Sequence, residues 1–380
     1  MQAFDFRPTT RVIFGENSID QLGAAAAELQ SRQILLVTDP GIFAAGHVDR
    51  ALESLQNKGI GVTVFKDVEE NPTTRHVEKG VQFARETPDI DLIVGLGGGS
   101  AMDCAKGINF LLTNGGRMED YWGIGKAAKP MLPSIGIPTT AGTGSEGQSF
   151  ALISQEKTHR KMACGDLKAR FHIVILDPTL LLSVPREVAT VTGMDAISHA
   201  LESYVTTKRN PISQMFAREA WKLLEKHFEI VLNEPDNIAA WGQMLLGAHF
   251  SGLAIENSML GAAHATANPL TANYGITHGI AVGLMLPHVI KFNSKVVNGL
   301  YNDLAALVNG AGEGDVGKLL ERLRVLKKNA GLPEKLTDFD VKEEDLPLLA
   351  SQAAEQWTGN FNPRPLNEAD LLRLYNDVYS

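Results

Sequence analysis

Residues 91–103, DLIVGLGGGSAMD, decide how the first half of this chain is read. A short β-rich run enters Gly95-Leu96-Gly97-Gly98-Gly99-Ser100 and leaves as a helical stretch, SAMDCAKGINFLLTNG. Glycines at such a strand-to-helix turn let the backbone bend tightly and approach a pyrophosphate, while the first N–H groups of the helix supply positive potential. An ordinary tight turn satisfies the same glycines, so the surroundings must decide. Upstream, QILLVTD (33–39) is followed by AGHVDRALESLQNKG (45–59), and GVTVFKDV (61–68) passes through NPTT into HVEKGVQFARE (76–86). Downstream, PSIGIPTT (133–140) opens a second small-residue loop. Strands alternating with helices of this length predict βαβ units and a largely parallel sheet, an α/β domain over 1–185. The run 11–14 is expected to pair antiparallel with FHIVILDP (171–178) at an edge.

Two features of this half read as nucleotide contacts. Asp39 ends a predicted strand, where a carboxylate accepts hydrogen bonds from a ribose and repels a 2′-phosphate. A turn residue before Pro40-Gly41 is an equal reading. PTTAGTGSE (138–146) offers the hydroxyls of Thr139, Thr140 and Thr143 to phosphates or to a nicotinamide face. Glu119 and Asp120 lie about 20 residues beyond the glycine run, as a dinucleotide fingerprint asks. They follow a glycine turn rather than a strand, so they are set aside.

After LSVPREV the pattern changes. Segments 186–206, 211–232, 237–268, 279–293, 315–330 and 367–379 carry helical periodicity, which predicts an all-helical unit over 186–380. Asp195 and His199 stand four apart in GMDAISHALESYV, on one helix face. His264 lies in GAAHATANPL and His278 in GITHGIAVGLMLPHV. Each alone is more often structural, the aspartate as a cap and the histidine as a satisfied core residue. Together, in apolar, glycine-rich surroundings, one carboxylate and three imidazoles form a ligand set for a divalent transition metal. His249 and His288 are the substitutes should one ligand fail.

Composition limits the alternatives. The chain has 380 residues, 44% apolar and 21% charged, enough for two domains with ordinary cores. A net charge of −9 without a basic run argues against nucleic acid. Two distant cysteines, Cys104 and Cys164, fit reduced thiols in a cytoplasmic protein. No signal-peptide pattern opens the chain and no uncharged apolar stretch approaches the length of a membrane helix, so no membrane partner is expected.

The motifs together resemble the iron-dependent (group III) alcohol dehydrogenases. VIFGENSIDQLG, GGGSAMDCAKG, PTTAGTGSE, DPTLLLSVP, GMDAISHALESY, HGIAVGLMLPHVIKFN and NPRPLNEADLLRLY follow the family's order over nearly the whole chain. The resemblance implies a dinucleotide-binding α/β domain, an all-helical C-terminal domain and an active site in the cleft between them. It implies a metal, Fe2+ or Zn2+, on Asp195, His199, His264 and His278. Cofactor contacts carried over by motif fall on Asp39, Asn71, Gly97, Gly98, Gly99, Ser100, Asp103, Thr139, Thr140, Thr143 and Lys161. An aspartate at the position of Asp39 goes with NAD rather than NADP.

One departure concerns the substrate. Many members read HxxxH where this chain reads His264-Ala265-Thr266-Ala267-Asn268. The second histidine faces the nicotinamide and is often given a proton-relay role. Asn268 can hydrogen-bond a substrate but cannot titrate near neutral pH. The expected activity is hydride transfer between NAD(H) and a small alcohol or aldehyde, in a homodimer or larger homo-oligomer. The rivals are a dehydroquinate synthase-like lyase, a polyol-phosphate dehydrogenase, or a non-catalytic relative that keeps the fold. The first two need a basic phosphate cluster, and segments 186–209 and 258–292 carry few basic residues.

Overall fold

The run Leu92–Gly97 is buried along its whole length in the middle of a parallel sheet, which is why it reads as continuous rather than alternating hydrophobicity. The computed structural model describes residues 3–158, 160–308 and 314–380. These fall into two compact units, Arg7–Val184 and Pro185–Ser380, the second including residues 3–6.

The first unit runs β1 (Arg11–Phe14), α1 (Leu22–Glu28), β2 (Gln33–Val37), α2 (Pro40–Ala44), α3 (His47–Gln56), β3 (Gly61–Phe65), α4 (Thr74–Arg85), β4 (Leu92–Gly97), α5 (Gly99–Asn114), β5 (Gly123–Ile124), β6 (Ser134–Pro138), β7 (Phe150–Ser154), β8 (Lys161–Gly165) and β9 (Ile173–Leu176). Its six-stranded sheet has the order β1-β9-β6-β4-β2-β3, every pairing parallel. The expected antiparallel edge is therefore corrected. β1 does pair with β9, but in parallel, Arg11 opposite Ile173 and Phe14 opposite Leu176. No hairpin links the two strands, so a tight turn does not dictate their direction. Asp177, just past β9, accepts the backbone N–H groups of Asn17 and Ile19, just past β1, at 3.0 and 3.1 Å. That latch holds the two C-terminal ends together. A second sheet, β5-β8-β7, contains an antiparallel β7–β8 hairpin that the sequence reading does not anticipate.

The second unit runs α6 (Arg186–Val205), α7 (Pro211–Asn233), α8 (Ile238–Glu256), α9 (Ala262–Tyr274), α10 (His278–Ala305), α11 (Val316–Ala330), α12 (Leu346–Ala354) and α13 (Glu368–Tyr379). The periodic segment 237–268 proves to be two helices, α8 and α9. Asn257 closes the first and Gly261 opens the second, and neither signals a break as a proline would. α12 is an addition. By length and composition α8 and α10 are apolar enough to cross a membrane, contrary to the expectation above. Both bury most of their apolar window inside the protein, as a helix hydrophobic on all sides does at the centre of a bundle.

Candidate metal centre and nucleotide cradle

α6 carries Asp195 and His199 one turn apart, α9 carries His264 in its first turn, and His278 is the first residue of α10. All four side chains converge. Asp195 Oδ1 stands 3.3 Å from His199 Nε2, 3.5 Å from His264 Nε2 and 3.8 Å from His278 Nε2. The His199 and His264 rings stack with centroids 4.9 Å apart, and His278 lies 5.3 Å from His264. Three of the side chains are almost fully buried, whereas His278 is 25% exposed, so the group meets solvent on the α10 side. Glycine makes this possible: a Cβ at Gly279 would lie 1.9 Å from the carbonyl oxygen of Val191, so only glycine lets α10 lie against α6 at this point.

These atoms fit an ion better than they fit one another. Asp195 Oδ1 and His264 Nε2 are buried and have no hydrogen-bond partner among the described residues. Leaving buried polar atoms unpaired is costly, and few such groups lack an explanation. Ligands about 2.1 Å from a tetrahedral ion stand roughly 3.4 Å apart, close to the separations seen. Burial would raise the Asp195 carboxyl, but His199 and the other two imidazoles hold it well below the usual carboxylate range. Burial pulls His264 down, yet the carboxylates of Asp195 and Glu202 beside its two nitrogens carry it up to about 9.

The substitute histidines stay outside this group. His249 is buried beside the Phe250 ring, and His288 sits among the charges of Lys291, Asp377 and Lys327. Asn268 donates from Nδ2 to Gln356 Oε1 at 2.9 Å. The sequence reading missed Glu202, whose carboxylate meets His264 Nδ1 at 2.5 Å. Its signal was available, since Glu202 follows His199 by three positions on the face that carries Asp195.

In the first unit the C-terminal ends of β2, β4 and β6 bring Asp39, Gly97 and Thr139 to one end of the sheet, the usual place for a ligand in a parallel sheet. Gly97 has φ +151° and Gly98 N-caps α5 without a side-chain cap, so the first N–H groups of that 16-residue helix need other partners. The threonine loop packs on this turn. A Cβ at Gly99 would come within 2.7 Å of the Thr143 side chain, and one at Gly98 would lie 3.7 Å from that of Thr140. The Thr139 and Thr140 hydroxyls are buried with no hydrogen-bond partner among the described residues.

Asp39 fills the turn role in the structure. Oδ1 caps α2 by accepting from Ile42 N at 3.0 Å, while Oδ2 lies 3.2 Å from where a Gly97 Cβ would be. Asn71, at φ +51°, donates its N–H to Ser100 Oγ at 3.2 Å and accepts from Lys161 Nζ at 3.3 Å. Three of the residues carried over by resemblance thus form one group at the start of α5. Asp103 behaves differently: it is buried and accepts the Ser145 hydroxyl, with Lys106 Nζ 3.8 Å away. Burial raises its carboxyl, with Lys106 and Ser145 opposing. Its side chain braces the threonine loop from within, and Lys106 and Ser145 are the partners that the sequence reading missed.

Comparison with known proteins finds relatives over nearly the whole chain. The model of the iron-containing alcohol dehydrogenases matches residues 8–178, and that of the family's C-terminal part matches 189–379. Alcohol dehydrogenase 4 of Schizosaccharomyces pombe is 36% identical over 353 residues, covering 92% of this chain and 83% of that protein. The NAD-dependent methanol dehydrogenase of Bacillus methanolicus is 32% identical over 378 residues, 98% of this chain and 99% of its own. A crystal structure of a 1,3-propanediol oxidoreductase superposes with a TM-score of 0.95 at 32% identity, covering 100% of both chains.

Proposed function

This chain belongs to the iron-containing alcohol dehydrogenase family, and from that premise we propose that it moves hydride between NAD(H) and a small alcohol or aldehyde, with Fe2+ or Zn2+ on Asp195, His199, His264 and His278. The observation that carries the reading is the buried Asp195 oxygen set 3.3–3.8 Å from three imidazole nitrogens. An ion held by these four side chains would supply Lewis acidity toward a substrate oxygen, and a bound NAD would supply the hydride acceptor. One carboxylate and three neutral imidazoles would leave a divalent ion with a net positive charge among its direct ligands, which suits an oxygen that gains negative charge. The N–H groups at the start of α5 meet the pyrophosphate, Thr139 and Thr140 offer their hydroxyls, and Asp39 meets the ribose and disfavours a 2′-phosphate.

Asn268 orients substrate rather than moving a proton. Gln356 engages its amide N–H, leaving the Oδ1 side to accept a bond from a hydroxyl, so the proton leaves by water or a ribose hydroxyl. The relatives named for methanol and 1,3-propanediol support a small substrate. Cys104 and Cys164 are buried free thiols, the latter pushed up to about 12 by burial, which supports a reducing, cytoplasmic setting. A homodimer or larger assembly is part of the proposal.

The test is to strip the metal, reload anaerobically with Fe2+ or Zn2+, and follow NADH and NADPH absorbance against short aldehydes, hydroxyaldehydes and keto acids. The expected result is metal-dependent oxidation of NADH with a short aldehyde. Silence of the metal-loaded protein across the panel, or faster turnover with NADPH, contradicts the reading.

A further inference from the structure

We propose that Glu202 is a positioning residue of the metal centre, holding His264 with its Nε2 lone pair toward the ion and docking the start of α9 onto α6. The inference rests on the metal reading above and deepens it.

Glu202 lies on α6, three residues past His199 and seven past Asp195, which places all three on one helix face. Its side chain is only 4% exposed, and a carboxylate so deep needs partners. It has three. One oxygen meets His264 Nδ1 at 2.5 Å and the His264 N–H at 3.4 Å, and the other accepts the Ala263 N–H at 2.7 Å. Those N–H groups belong to the first turn of α9, whose N-cap, Gly261, has no side chain to serve them. Glu202 is therefore a cap supplied by a neighbouring helix, with its negative charge at the positive helix end.

Gly261 is required for the approach. A Cβ there would stand 3.0 Å from Glu202 Oε1 and 3.1 Å from Asn362 Oδ1. Asn362 takes the remaining N–H, that of Ala262, at 3.3 Å. It is itself fixed by two bonds with Asn293, at 2.9 and 2.7 Å. The backbone before His264 is thus held from two sides. A carboxylate only accepts, so its bond to Nδ1 needs the proton on that nitrogen. Nε2 is then the lone-pair atom, and it is the one that faces Asp195 Oδ1 at 3.5 Å. A carboxylate behind a ligating imidazole sets both its tautomer and its basicity.

Glu202→Gln tests this, because it keeps the shape and the acceptor for Ala263 but offers an amide donor to Nδ1, favouring the proton on Nε2. Co2+ affinity by competition with a chromophoric chelator, and the visible spectrum of the Co2+-loaded protein, are read without turnover. We expect affinity about 10–100-fold weaker and a changed spectrum, with NADH binding unaltered. Glu202→Asp, which keeps the charge and withdraws the carboxylate by one methylene, should bind Co2+ more tightly than Glu202→Gln; should the glutamine variant fold poorly, Glu202→Asp is read against wild type, where weaker Co2+ binding and a changed spectrum are expected and no change overturns the proposal. Asn362→Ala removes the other α9 cap without touching the imidazole, so it should lower Tm while leaving Co2+ affinity near wild type. Glu202→Gln binding Co2+ as tightly as wild type, or Asn362→Ala weakening it equally, overturns the proposal. Failure of the wild-type protein to bind Co2+ would instead remove the metal reading itself.

Discussion

The two units build their sites from opposite materials. The proposed metal centre is made of side chains: one carboxylate and three imidazoles delivered by three helices, each placed by long-range packing. The proposed nucleotide cradle is made mostly of backbone, from strand ends, a glycine turn and a loop of small hydroxyl residues. A side-chain site fails when a single ligand atom goes or a helix shifts by an ångström. A backbone site tolerates most substitutions except those that add a Cβ where the chain must pass. Each should therefore break without the other.

The largest effect is expected from Asp195→Ala, which removes the oxygen that all three imidazoles face. Turnover should fall by about 10³-fold, several kcal/mol of lost charge stabilisation, together with metal content. NADH binding, followed by fluorescence, should not change, and a parallel loss of it would show that the sites are not separable. Next comes Gly279→Ala, whose Cβ would meet the Val191 carbonyl at 1.9 Å. Backbone must move there, so urea unfolding should show a loss of about 1–3 kcal/mol, and metal affinity should fall as His278 shifts. Full stability in this variant would mean that α10 has more room against α6 than the glycine implies.

Gly99→Ala attacks the other site. The new Cβ would press on Thr143 at 2.7 Å, and a strain of 1–2 kcal/mol corresponds to NADH binding about tenfold weaker. Metal affinity should be untouched. If it drops as well, the comparison between the units fails. The mildest test is pH. His264 is raised from 6.5 to about 9 in the metal-free fold. The stability gained from that proton is complete below 6.5 and is lost as pH rises through about 9. An ion must displace the proton, so apparent Co2+ affinity should rise over this interval by up to about tenfold per pH unit and then level off. A flat profile would place the metal elsewhere.

Much of both sites was legible because their chemistry lies in residue types at telling spacings: Asp195 and His199 four apart, glycines where a strand becomes a helix. What escaped depends on contacts between distant segments. Glu202 and His264 are 62 residues apart, and a glutamate on a helix ordinarily points to water. The direction of β1 is held by Asp177, a residue 158 positions from Ile19, so no local pattern shows it. The hairpin of β7 and β8 was missed because FALIS and KMACG are covered on both faces and so lack the polar–apolar alternation of a half-buried strand. Asn268 was visible as a departure, but its partner Gln356 was not, being 88 residues away. Asp103 was assigned to the cofactor by resemblance; its partners Ser145 and Lys106 were not anticipated, Ser145 lying 42 residues away.

The most direct test of the account is an anaerobic titration of metal-stripped protein with Fe2+, reading turnover and NADH affinity at each addition. Turnover should rise linearly to a break at a single ion per chain while NADH affinity stays constant. Turnover that is present without metal, or that ignores the titration, would contradict it.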